Sequence, residues 1–317
     1  MERMNDTRFV IDLHCDTITE CYRKRYGLDS ENLHFSLGKL PEGYSLCQCM
    51  AVWMPDSLRG KDAAEYFLLS ADLLKEQMNR FSEQISQVFD LQSIERALME
   101  KRFAAILTIE GGSALAGNLA NIEKYYGLGA RMMTLTWNSE NEICGGVESD
   151  SGFTAFGRQA VREMERVGMA ADTAHLNDKS FWELCEFAEK PFINTHSNSR
   201  KICGHKRNVT DEMFAEIVRR GGVLGLNYGK RFIREDGSNG SVNDMLKHIH
   251  HFLELGGEDT LALGSDYDGT DLPDYLEGID KIGSFAESIE RSGIPRGVVD
   301  KILFGNANRY LKSLHNH

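Results

Sequence analysis

Five residues that could bind a metal ion stand at the ends of four apolar, strand-like runs of the sequence. They are His14 and Asp16 after the first run, Glu110 after the second, His175 after the third and His196 after the fourth. Imidazole nitrogens and carboxylate oxygens are ligands that zinc and related divalent ions take in proteins. One histidine at a strand end is usually structural, but five such residues at four strand ends are hard to explain in that way. The pattern predicts a metal site.

The number of ligands favours two ions over one. Two divalent ions about 3.5–4 Å apart, bridged by one carboxylate, would use all five side chains. Alternate residues of a strand share a face, so His14 and Asp16 can approach one ion together, while Cys15 should face the other side. Asp12 has the same parity and could also face inward, but it lies deeper in its strand. We interpret Asp12 and Asp172 as supporting or structural residues.

A further carboxylate, Asp266, follows the last strand-like run. There it would face the mouth of the site and could accept a proton from metal-bound water, whose pKa the ion lowers towards neutrality. Hydroxide made in this way can attack an amide. Asp268, which precedes Gly269, is more typical of a turn or a supporting position. These residues predict a metal-dependent hydrolase with Asp266 as the acid/base group.

The chain around these residues alternates between strand-like and helical patterns. The strand-like runs are Phe9–Leu13, Leu46–Met54, Phe103–Ile109, Met132–Thr136, Met169–Thr173, Phe192–Thr195, Val223–Asn227 and Thr260–Gly264. The amphipathic helical patterns are Asp62–Ser86, Phe153–Val167, Asp178–Glu189, Asp211–Arg220, Val242–Leu255 and Ile282–Ser292. Asp178 stands where a helix N-cap would, Gly256 stands where a helix would stop, and Tyr22–Gly43 reads as a loop.

Eight strands that alternate with helices predict an α/β fold, a TIM-like (β/α)₈ barrel, whose site forms at the carboxyl ends of the strands. An open doubly wound sheet is the alternative, but it would need a phosphate-binding loop. No Gly-x-Gly-x-x-Gly follows a strand-like run, and the glycines after Glu110 lack the lysine of a P-loop. Without a repeat or a linker, residues 1–317 predict a single domain.

Composition narrows the class of partner and compartment. The net charge of −12 and the lack of a long basic run argue against a nucleic-acid partner. The sequence contains no apolar signal region and no run of about 20 apolar residues, so we expect no membrane anchor. Seven cysteines without a Cys-x-x-Cys pair predict reduced thiols in the cytoplasm. His248 is expected at the surface, His205 lies close to the site in sequence, and a homodimer is one assembly that we consider.

The ordered motifs resemble those of the membrane dipeptidase (renal dipeptidase) family of zinc peptidases. They cover nearly the whole chain and run from Ile11-Asp-Leu-His-Cys-Asp through Glu110-Gly-Gly, Leu135-Thr-Trp-Asn, Asp172-Thr-Ala-His, Thr195-His-Ser-Asn-Ser and Arg207-Asn-Val-Thr-Asp to Gly264-Ser-Asp-Tyr-Asp-Gly. The resemblance implies a TIM-like barrel with two zinc ions. One ion would be held by His14, Asp16 and Glu110, and the other by Glu110, His175 and His196.

The same resemblance implies roles for two further residues and contains one departure. It makes Asp266 the acid/base group and Arg207 the residue that binds the terminal carboxylate of the substrate, a task that suits the guanidinium fork. Where animal members carry a histidine assigned to polarise the scissile carbonyl, this chain has Trp137. An indole N–H can donate but cannot become cationic. The metal, Asn138 or another donor would take over this task, or the preferred substrate differs, so Trp137 and Asn138 are candidate substrate-binding residues.

The predicted function is a binuclear zinc dipeptidase that hydrolyses the peptide bond of dipeptides, and the resemblance implies tolerance of a C-terminal D-residue. One alternative keeps the metal but changes the substrate to another small amide, such as an N-acyl amino acid or a lactam. A second is a non-catalytic zinc-binding protein that acts by interaction. The intact base Asp266 and the carboxylate-binding Arg207 argue against that second alternative.

Overall fold

The computed structural model of the protein describes residues 7–39 and 41–314. These ranges contain nine strands: β1 (Arg8–Cys15), β2 (Tyr44–Trp53), β3 (Ile85–Gln87), β4 (Phe103–Glu110), β5 (Ala130–Thr134), β6 (Ala170–Asp172), β7 (Ile193–Asn194), β8 (Val223–Leu226) and β9 (Leu261–Leu263). All strands except β3 correspond to predicted runs. The short β6, β7 and β9 reflect loops that begin at once and carry the site residues.

Eight of these strands close into a barrel. Their order is β2-β1-β9-β8-β7-β6-β5-β4, and β4 pairs back with β2. Every pairing is parallel. Strands of a parallel barrel are covered by helices on the outside, so they read as continuous apolar runs, and β4 is buried at every position. The predicted TIM-like (β/α)₈ barrel is confirmed.

Strand β3, which is not one of the eight barrel strands, lies in a segment that was predicted as the end of a helix. The pattern Asp62–Ser86 predicted one helix, but the helix ends at Arg80. Along one edge of β4, β3 pairs as far as Ala105, and β5 pairs only from Leu107 onwards. Ile85 fits a helical spacing, yet the free edge of a buried strand needs hydrogen-bond partners, and β3 supplies them.

Helices cover the barrel and follow most strands. The described residues contain α1 (Thr17–Lys24), α2 (Gly60–Arg80), α3 (Leu91–Met99), α4 (Ala120–Gly127), α5 (Ala155–Val167), α6 (Asp178–Phe187), α7 (Asp211–Arg219), α8 (Lys230–Ile233), α9 (Val242–Glu254), α10 (Ile282–Arg291), α11 (Arg296–Asp300) and α12 (Asn306–Leu314). None of the helices in these ranges is long and apolar enough to cross a membrane. The sequence patterns missed α1, α3, α4, α8, α11 and α12, which are mostly short.

Two predicted helix boundaries have different outcomes. Gly256 follows α9 with a left-handed φ of 85°, so the predicted stop is confirmed. Asp178 is the first residue of α6, and the N-cap is Asn177, whose side chain accepts a hydrogen bond from the Ser180 N–H at 2.7 Å. Asparagine and aspartate both suit an N-cap, and the backbone of the incoming loop determines which of two neighbouring residues takes this position. The prediction of Asp178 as the N-cap was therefore wrong.

Asp12 faces away from the site, contrary to its parity with His14. Paired residues of parallel strands face the same side, and successive residues alternate. Asp12 pairs with Gln48 and Glu110 pairs with Trp53, which follows Gln48 by an odd number of positions. Asp12 accepts hydrogen bonds from Gln48 Nε2 at 3.2 Å and from the Ser265 N–H at 3.1 Å. The interpretation of Asp12 as a structural residue is therefore confirmed, but the expectation that it could face inward is wrong.

A β-bulge explains this reversal. The register of β1 shifts between Asp12 and Cys15, so one extra residue is inserted and the next side chain is re-aimed. His14 consequently lies on the same side as Glu110, with its Nε2 atom 3.6 Å from Glu110 Oε2. Cys15 pairs with Met50 and faces away from the site, as predicted.

The barrel interior below the site is packed with small and medium apolar side chains: Ile11, Leu13, Cys47, Cys49, Ala104, Ile106, Met132, Ala170, Ile193, Val223 and Ala262. Near the top, two glycines allow neighbouring backbones to approach closely. A Cβ atom would lie 2.0 Å from the Thr195 carbonyl oxygen at Gly225 and 1.9 Å from it at Gly264. Only glycine fits there, and this close contact holds the segment that carries His196.

His248 is buried, and its predicted surface location is wrong. It lies on the apolar stripe of α9 with Met245, Ile249 and Phe252. Its Nδ1 atom accepts a hydrogen bond from the Ser199 N–H at 3.1 Å, and its Nε2–H donates to the Ile233 carbonyl at 3.0 Å. The helical spacing of this histidine within an apolar stripe was the signal that the surface prediction overlooked.

We expect His248 to make the free energy of unfolding depend on pH. Burial lowers the pKa of its imidazole to about 4, whereas a histidine in an unfolded chain titrates near about 6.5. The unfolded chain therefore binds more protons between these values, so stability is lost as the pH falls from about 6.5 towards 4. The difference corresponds to at most about 3 kcal/mol.

The variant His248→Gln removes this titration. Between pH 7 and 4.5, urea unfolding should show a steeper loss of stability for the wild type than for the variant, by about 2 kcal/mol. Parallel pH profiles for the two proteins would contradict the assigned role of His248.

Candidate active site

One cavity at the carboxyl ends of the barrel strands collects the predicted site residues. Its volume is about 380 Å³. Seven of the nine predicted residues line it: Asp16, Glu110, Trp137, Asn138, His175, Arg207 and Asp266. The other two, His14 and His196, are buried beneath its floor. The structure thus brings together every residue that the sequence analysis assigned to chemistry or binding.

Parallel strands explain this convergence, because their carboxyl ends meet at one end of the barrel. Glu110 is the last residue of β4, and His14 is the penultimate residue of β1. Asp16 immediately follows β1 and is the N-cap residue of α1. His175 and His196 follow the short strands β6 and β7 after two residues and one residue, respectively.

Glu110 stands at the centre of the cluster. Its Oε1 atom is 2.8 Å from His175 Nε2 and 3.6 Å from His196 Nε2, and its Oε2 atom is 3.6 Å from His14 Nε2. His14 Nε2 lies 3.9 Å from Asp16 Oδ2 on its other side. The two oxygens of Glu110 therefore face different histidines, which is the arrangement that a bridging carboxylate requires.

Two compact groups of ligand atoms lie within this cluster. One group is His14, Glu110 and His196, the other is His14, Asp16 and Asp266, and in each the ligand atoms lie within 4.8 Å of one another. The partition implied by the family resemblance shares Glu110, whereas these two groups share His14. Because the two groups have His14 in common, they are neighbouring candidate positions for a cation.

Three buried polar atoms of the cluster have no hydrogen-bond partner among the described residues: His14 Nε2, Asp16 Oδ1 and Glu110 Oε2. A buried polar atom without a partner is costly and requires an explanation. These atoms are the nitrogen and oxygen donors that divalent ions prefer, and they face a shared space. The residues present therefore fit one or more divalent cations.

The electrostatics of the cluster also call for positive charge. Burial acts to raise the pKa of Glu110, but His14 and the other imidazoles outweigh it and hold this pKa well below its ordinary value. Burial acts to lower the pKa of His14, but Glu110 and Asp16 outweigh it and hold this pKa well above its ordinary value. Burial and the Glu110 charge raise the pKa of Asp16. Bound cations would replace the protons that these groups hold.

Two imidazoles are held in the form that binds metal. Burial lowers the pKa of His175 to about 4 and that of His196 well below its ordinary value, so both are neutral near pH 7. Asn138 Oδ1, which can only accept, lies 3.0 Å from His175 Nδ1. The proton of His175 is therefore on Nδ1, and Nε2 keeps its lone pair for a ligand bond.

Asp172 acts on His196 through one intermediate. Its Oδ2 atom accepts a hydrogen bond from Thr195 Oγ1 at 2.6 Å, and Thr195 Oγ1 lies 2.8 Å from His196 Nδ1. Because the threonine hydroxyl donates to Asp172, it accepts from His196 Nδ1–H. This chain fixes the tautomer of His196 and confirms Asp172 as a supporting residue.

Asp266 has one oxygen held and one free to act. Its Oδ2 atom accepts a hydrogen bond from Asn227 Nδ2 at 3.0 Å, and its Oδ1 atom lies 3.9 Å from His14 Nε2. Burial and the Glu110 charge raise its pKa to about 6. Asp266 has a left-handed φ of 63°, and His175 has one of 67°, so backbone strain is concentrated at the site.

The turn after Asp266 is tightly built. A Cβ atom on Gly269 would lie 2.0 Å from Asp16 Oδ2 and 2.5 Å from Asp266 Oδ1, so a larger residue at this position would displace both carboxylates. Asp268 accepts hydrogen bonds from Thr17 Oγ1 at 2.5 Å and from the His34 N–H at 2.6 Å. Asp268 is therefore a supporting residue that ties this turn to α1 and the following loop.

Arg207 and Trp137 form parts of the cavity wall. Arg207 is buried and donates to the His196 carbonyl at 3.2 Å, while its Nε–H has no hydrogen-bond partner. Burial lowers its pKa to about 10, so it remains cationic at neutral pH. The Trp137 ring packs edge-to-face on Trp53 at 4.9 Å. Asn138, expected near the substrate, has its carbonyl oxygen directed at His175.

The sequence analysis missed several residues that also shape the site. Trp53, Lys206 and Arg231 line the cavity, as does His205, which was expected near the site, and Asn227 holds Asp266. Trp53 and Asn227 stand at the ends of predicted strand-like runs, as the metal ligands do, and this position was an available signal. Arg231 had no such signal, because no residue spacing in its segment points to the site.

Comparison with known proteins identifies relatives in sequence. The family model of the membrane dipeptidases, peptidase family M19, matches residues 1–317. An uncharacterized protein encoded in the pqqA 5′ region of Klebsiella pneumoniae is 31% identical over 253 residues, which are 76% of this chain and 93% of that protein. An uncharacterized dipeptidase of Schizosaccharomyces pombe is 32% identical over 196 residues, which are 59% of this chain and 46% of that protein.

Solved structures share the fold. A metallo peptidase from Rhodobacter sphaeroides, liganded with a phosphinate mimic of the dipeptide L-Ala-D-Ala, superposes with a TM-score of 0.92 at 22% identity and covers 96% of this chain and 99% of that one. Dipeptidase AC, a metallo peptidase of family M19, superposes with a TM-score of 0.91 at 23% identity and covers 96% and 98%. With its family model matched from end to end, this chain is a peptidase that belongs to the membrane dipeptidase family, peptidase family M19.

Proposed function

We propose that the protein is a binuclear metal-dependent dipeptidase, with zinc as its ion, that hydrolyses the single peptide bond of dipeptides. The observation that carries this proposal is the buried carboxylate of Glu110 between His14, His175 and His196, in one cavity with Arg207. Family membership supports the reaction class. The geometry supports the task that we propose for each residue.

The metal would be held as the orientation of the ligands suggests. His14, Asp16 and Glu110 would hold one ion, and Glu110, His175 and His196 would hold the other. Bound divalent ions polarise a scissile carbonyl and lower the pKa of water in their coordination sphere. Asn138 and Thr195 keep His175 and His196 in the tautomers that this binding requires.

Asp266 moves the proton. Asn227 holds Oδ2, so Oδ1 is the atom that takes a proton from the attacking water and then delivers it to the leaving amine. A pKa near 6 suits both directions of transfer at neutral pH. The same carboxylate also offers an anionic partner to the free amino group at the other end of a dipeptide.

Arg207 binds the C-terminal carboxylate. It adjoins the His196 segment, is buried and cationic, and retains an N–H group without a partner. A charge-assisted bond to a carboxylate would use that group and place the scissile bond beside Glu110. This requirement for a free carboxylate explains why short peptides, and not internal bonds of proteins, would be substrates.

Trp137 lines the cavity at the position where the family resemblance places a histidine in animal members. Trp137 packs on Trp53 and presents an aromatic surface. We propose that this surface contacts the side chain of the N-terminal residue. The metal, with Asn138 near it, would then stabilise the charge that develops on the scissile carbonyl.

Tolerance of a C-terminal D-residue is part of the proposal. The Rhodobacter sphaeroides peptidase is liganded with a mimic of L-Ala-D-Ala, and its barrel superposes on this one. We also propose a cytoplasmic, reducing location, because all seven cysteines are free and six of them are buried.

A hydrolysis screen tests the function. Purified protein loaded with zinc should hydrolyse members of a panel of LL- and LD-dipeptides, and a chelator should abolish the activity. The panel also contains N-acyl amino acids and lactams. Activity on these compounds alone would favour the other small-amide hydrolase, and a protein that binds zinc but hydrolyses nothing would favour the non-catalytic alternative.

Glu110→Gln should lower the metal content. A bridging carboxylate attracts both ions, so wild-type protein should bind about two divalent ions per chain and the variant at most about one. Metal analysis after saturation with zinc and removal of free ion measures this. Glu148→Gln, on an exposed glutamate of the same cavity, is the matched control and should retain both ions. Fully active protein with at most one ion would overturn the binuclear site.

Asp266→Asn should lower kcat by about 10²–10⁴-fold, because the amide cannot accept the proton. Metal content should remain at the wild-type value, because Glu110 and the histidines persist. Kinetics and metal analysis are made on the same preparation. Near-normal turnover, or loss of turnover that merely follows loss of metal, would show that Asp266 is not the acid/base group.

Amidation of the C-terminus of a good dipeptide substrate should lower kcat/KM strongly, because the amide cannot pair with Arg207. Arg207→Ala should remove most of the difference between the free and amidated peptides, and Arg207→Lys should retain part of it, since the charge remains without the fork. If the wild type hydrolyses both peptides equally, the protein is a more general amidase.

A further inference from the structure

One wall of the active-site cavity is unusually rich in positive charge. The cations Lys206, Arg207 and Arg231 line it together with His205, although the chain as a whole has a net charge of −12. Arg207 has a proposed task in binding the terminal carboxylate. The other three residues have none in the proposed reaction.

Lys206 and Arg231 differ from the neighbouring arginines in their partners. Arg200 pairs with Asp178 at 2.8 Å, and Arg234 pairs with Asp236 at 2.9 Å. The Lys206 and Arg231 side chains are exposed and make no hydrogen bond or ion pair with any residue in the described ranges 7–39 and 41–314. Their charges are therefore available to a molecule in the cavity.

Phe232 joins these cations into one surface. The His205 ring packs edge-to-face on Phe232 at 5.0 Å, and the Arg207 guanidinium lies 5.6 Å from the centre of the same ring. Arg231 and Phe232 are adjacent on α8, and Lys206 adjoins Arg207. The free cations therefore border the position where the C-terminal residue of a dipeptide would lie.

The pKa of His205 is affected by the positive charges of this surface. Burial lowers the pKa of its imidazole, and Arg207, Lys206 and Arg231 lower it further. Its Nδ1 atom accepts a hydrogen bond from the Arg207 N–H at 3.1 Å, so the neutral ring carries its proton on Nε2 and is a donor there. His205 thus adds a neutral hydrogen-bond donor to the two free cations.

The other arginine of the cavity lining lacks this property. Arg23 also lines the cavity, but it is paired, with its NH1 atom 2.9 Å from Oε1 of Glu20, a carboxylate that also pairs with Lys24 at 2.7 Å. Trp53 and Trp137 line the cavity as well. An acidic side chain on the N-terminal residue would therefore meet no free cation, so the asymmetry distinguishes the two positions of a dipeptide.

We infer that the preferred substrates are dipeptides whose C-terminal residue has an acidic side chain, aspartate or glutamate. Lys206 and Arg231 would be the residues that determine this specificity, by pairing with the side-chain carboxylate while Arg207 holds the terminal one. This inference rests on the proposed dipeptidase function and on the placement of the C-terminus at Arg207. An amide of the same shape, asparagine or glutamine, would lose the charge–charge attraction.

The test compares matched dipeptides that differ only in this charge: Ala-Asp with Ala-Asn, and Ala-Glu with Ala-Gln, each with an L- or D-residue at the C-terminus. The wild-type kcat/KM should favour the acidic member by about tenfold at low ionic strength, and added salt should reduce the ratio. Each of Arg231→Met and Lys206→Met should reduce the ratio by about threefold, and the double variant should bring it close to one.

Lys201→Met is the matched control, because Lys201 is an exposed lysine of the same segment that does not line the cavity. It should leave the ratio unchanged. A wild-type ratio near one, or a ratio that both cavity variants leave intact while neutral dipeptides are still hydrolysed, would overturn this inference alone. Failure to hydrolyse any dipeptide would instead overturn the proposed function.

Discussion

A carboxylate buried at the end of a wholly buried strand needs positive or polar partners. Glu110 is such a carboxylate, so the residues around it at the mouth of the barrel must supply these partners. Removal of a charged group from water is costly unless it is paired. His14, His175 and His196 approach it from three other strands, and Asp16 and Asp266 add further negative charge around them. A cluster with this excess of carboxylates fits one or more bound cations.

The precision of this cluster comes from residues that never touch a substrate. Asn138 orients His175, and the chain from Asp172 through Thr195 orients His196. On the opposite side, Asn227 orients Asp266. Each of these contacts fixes where a proton sits, and therefore which atom is free to bind an ion or to move a proton. Their loss would disturb chemistry without removing a ligand.

The cavity above the cluster is polarised from one end to the other. Its floor carries the carboxylates, one wall carries Arg207 with free cations beside it, and the other wall is aromatic. A dipeptide is a zwitterion, so the proposed function requires a site that separates charges in this way. Trp137 packs on Trp53 and belongs to the aromatic part of the cavity lining.

Much of the fold and of the site could be predicted from the sequence, because both depend on local patterns. The continuous apolar runs predicted all eight barrel strands, since a strand buried on both faces has no polar alternation. The ligand types at the ends of these runs predicted the metal cluster, since parallel strands end at one place. Asp266 stood out for the same reason, although its role remains a proposal.

Only the tertiary structure decided features that depend on residues far apart in the chain. The bulge in β1 reverses the face of Asp12, because its pairing with β2 overrides simple alternation. Ile85 lies in a strand because the edge of β4 needs partners, although its spacing suits a helix. The free charges of Lys206 and Arg231 meet at one wall because the loop after β7 and helix α8 pack together around Phe232. No local sequence pattern predicts this proximity, because it depends on how the barrel brings separate loops together.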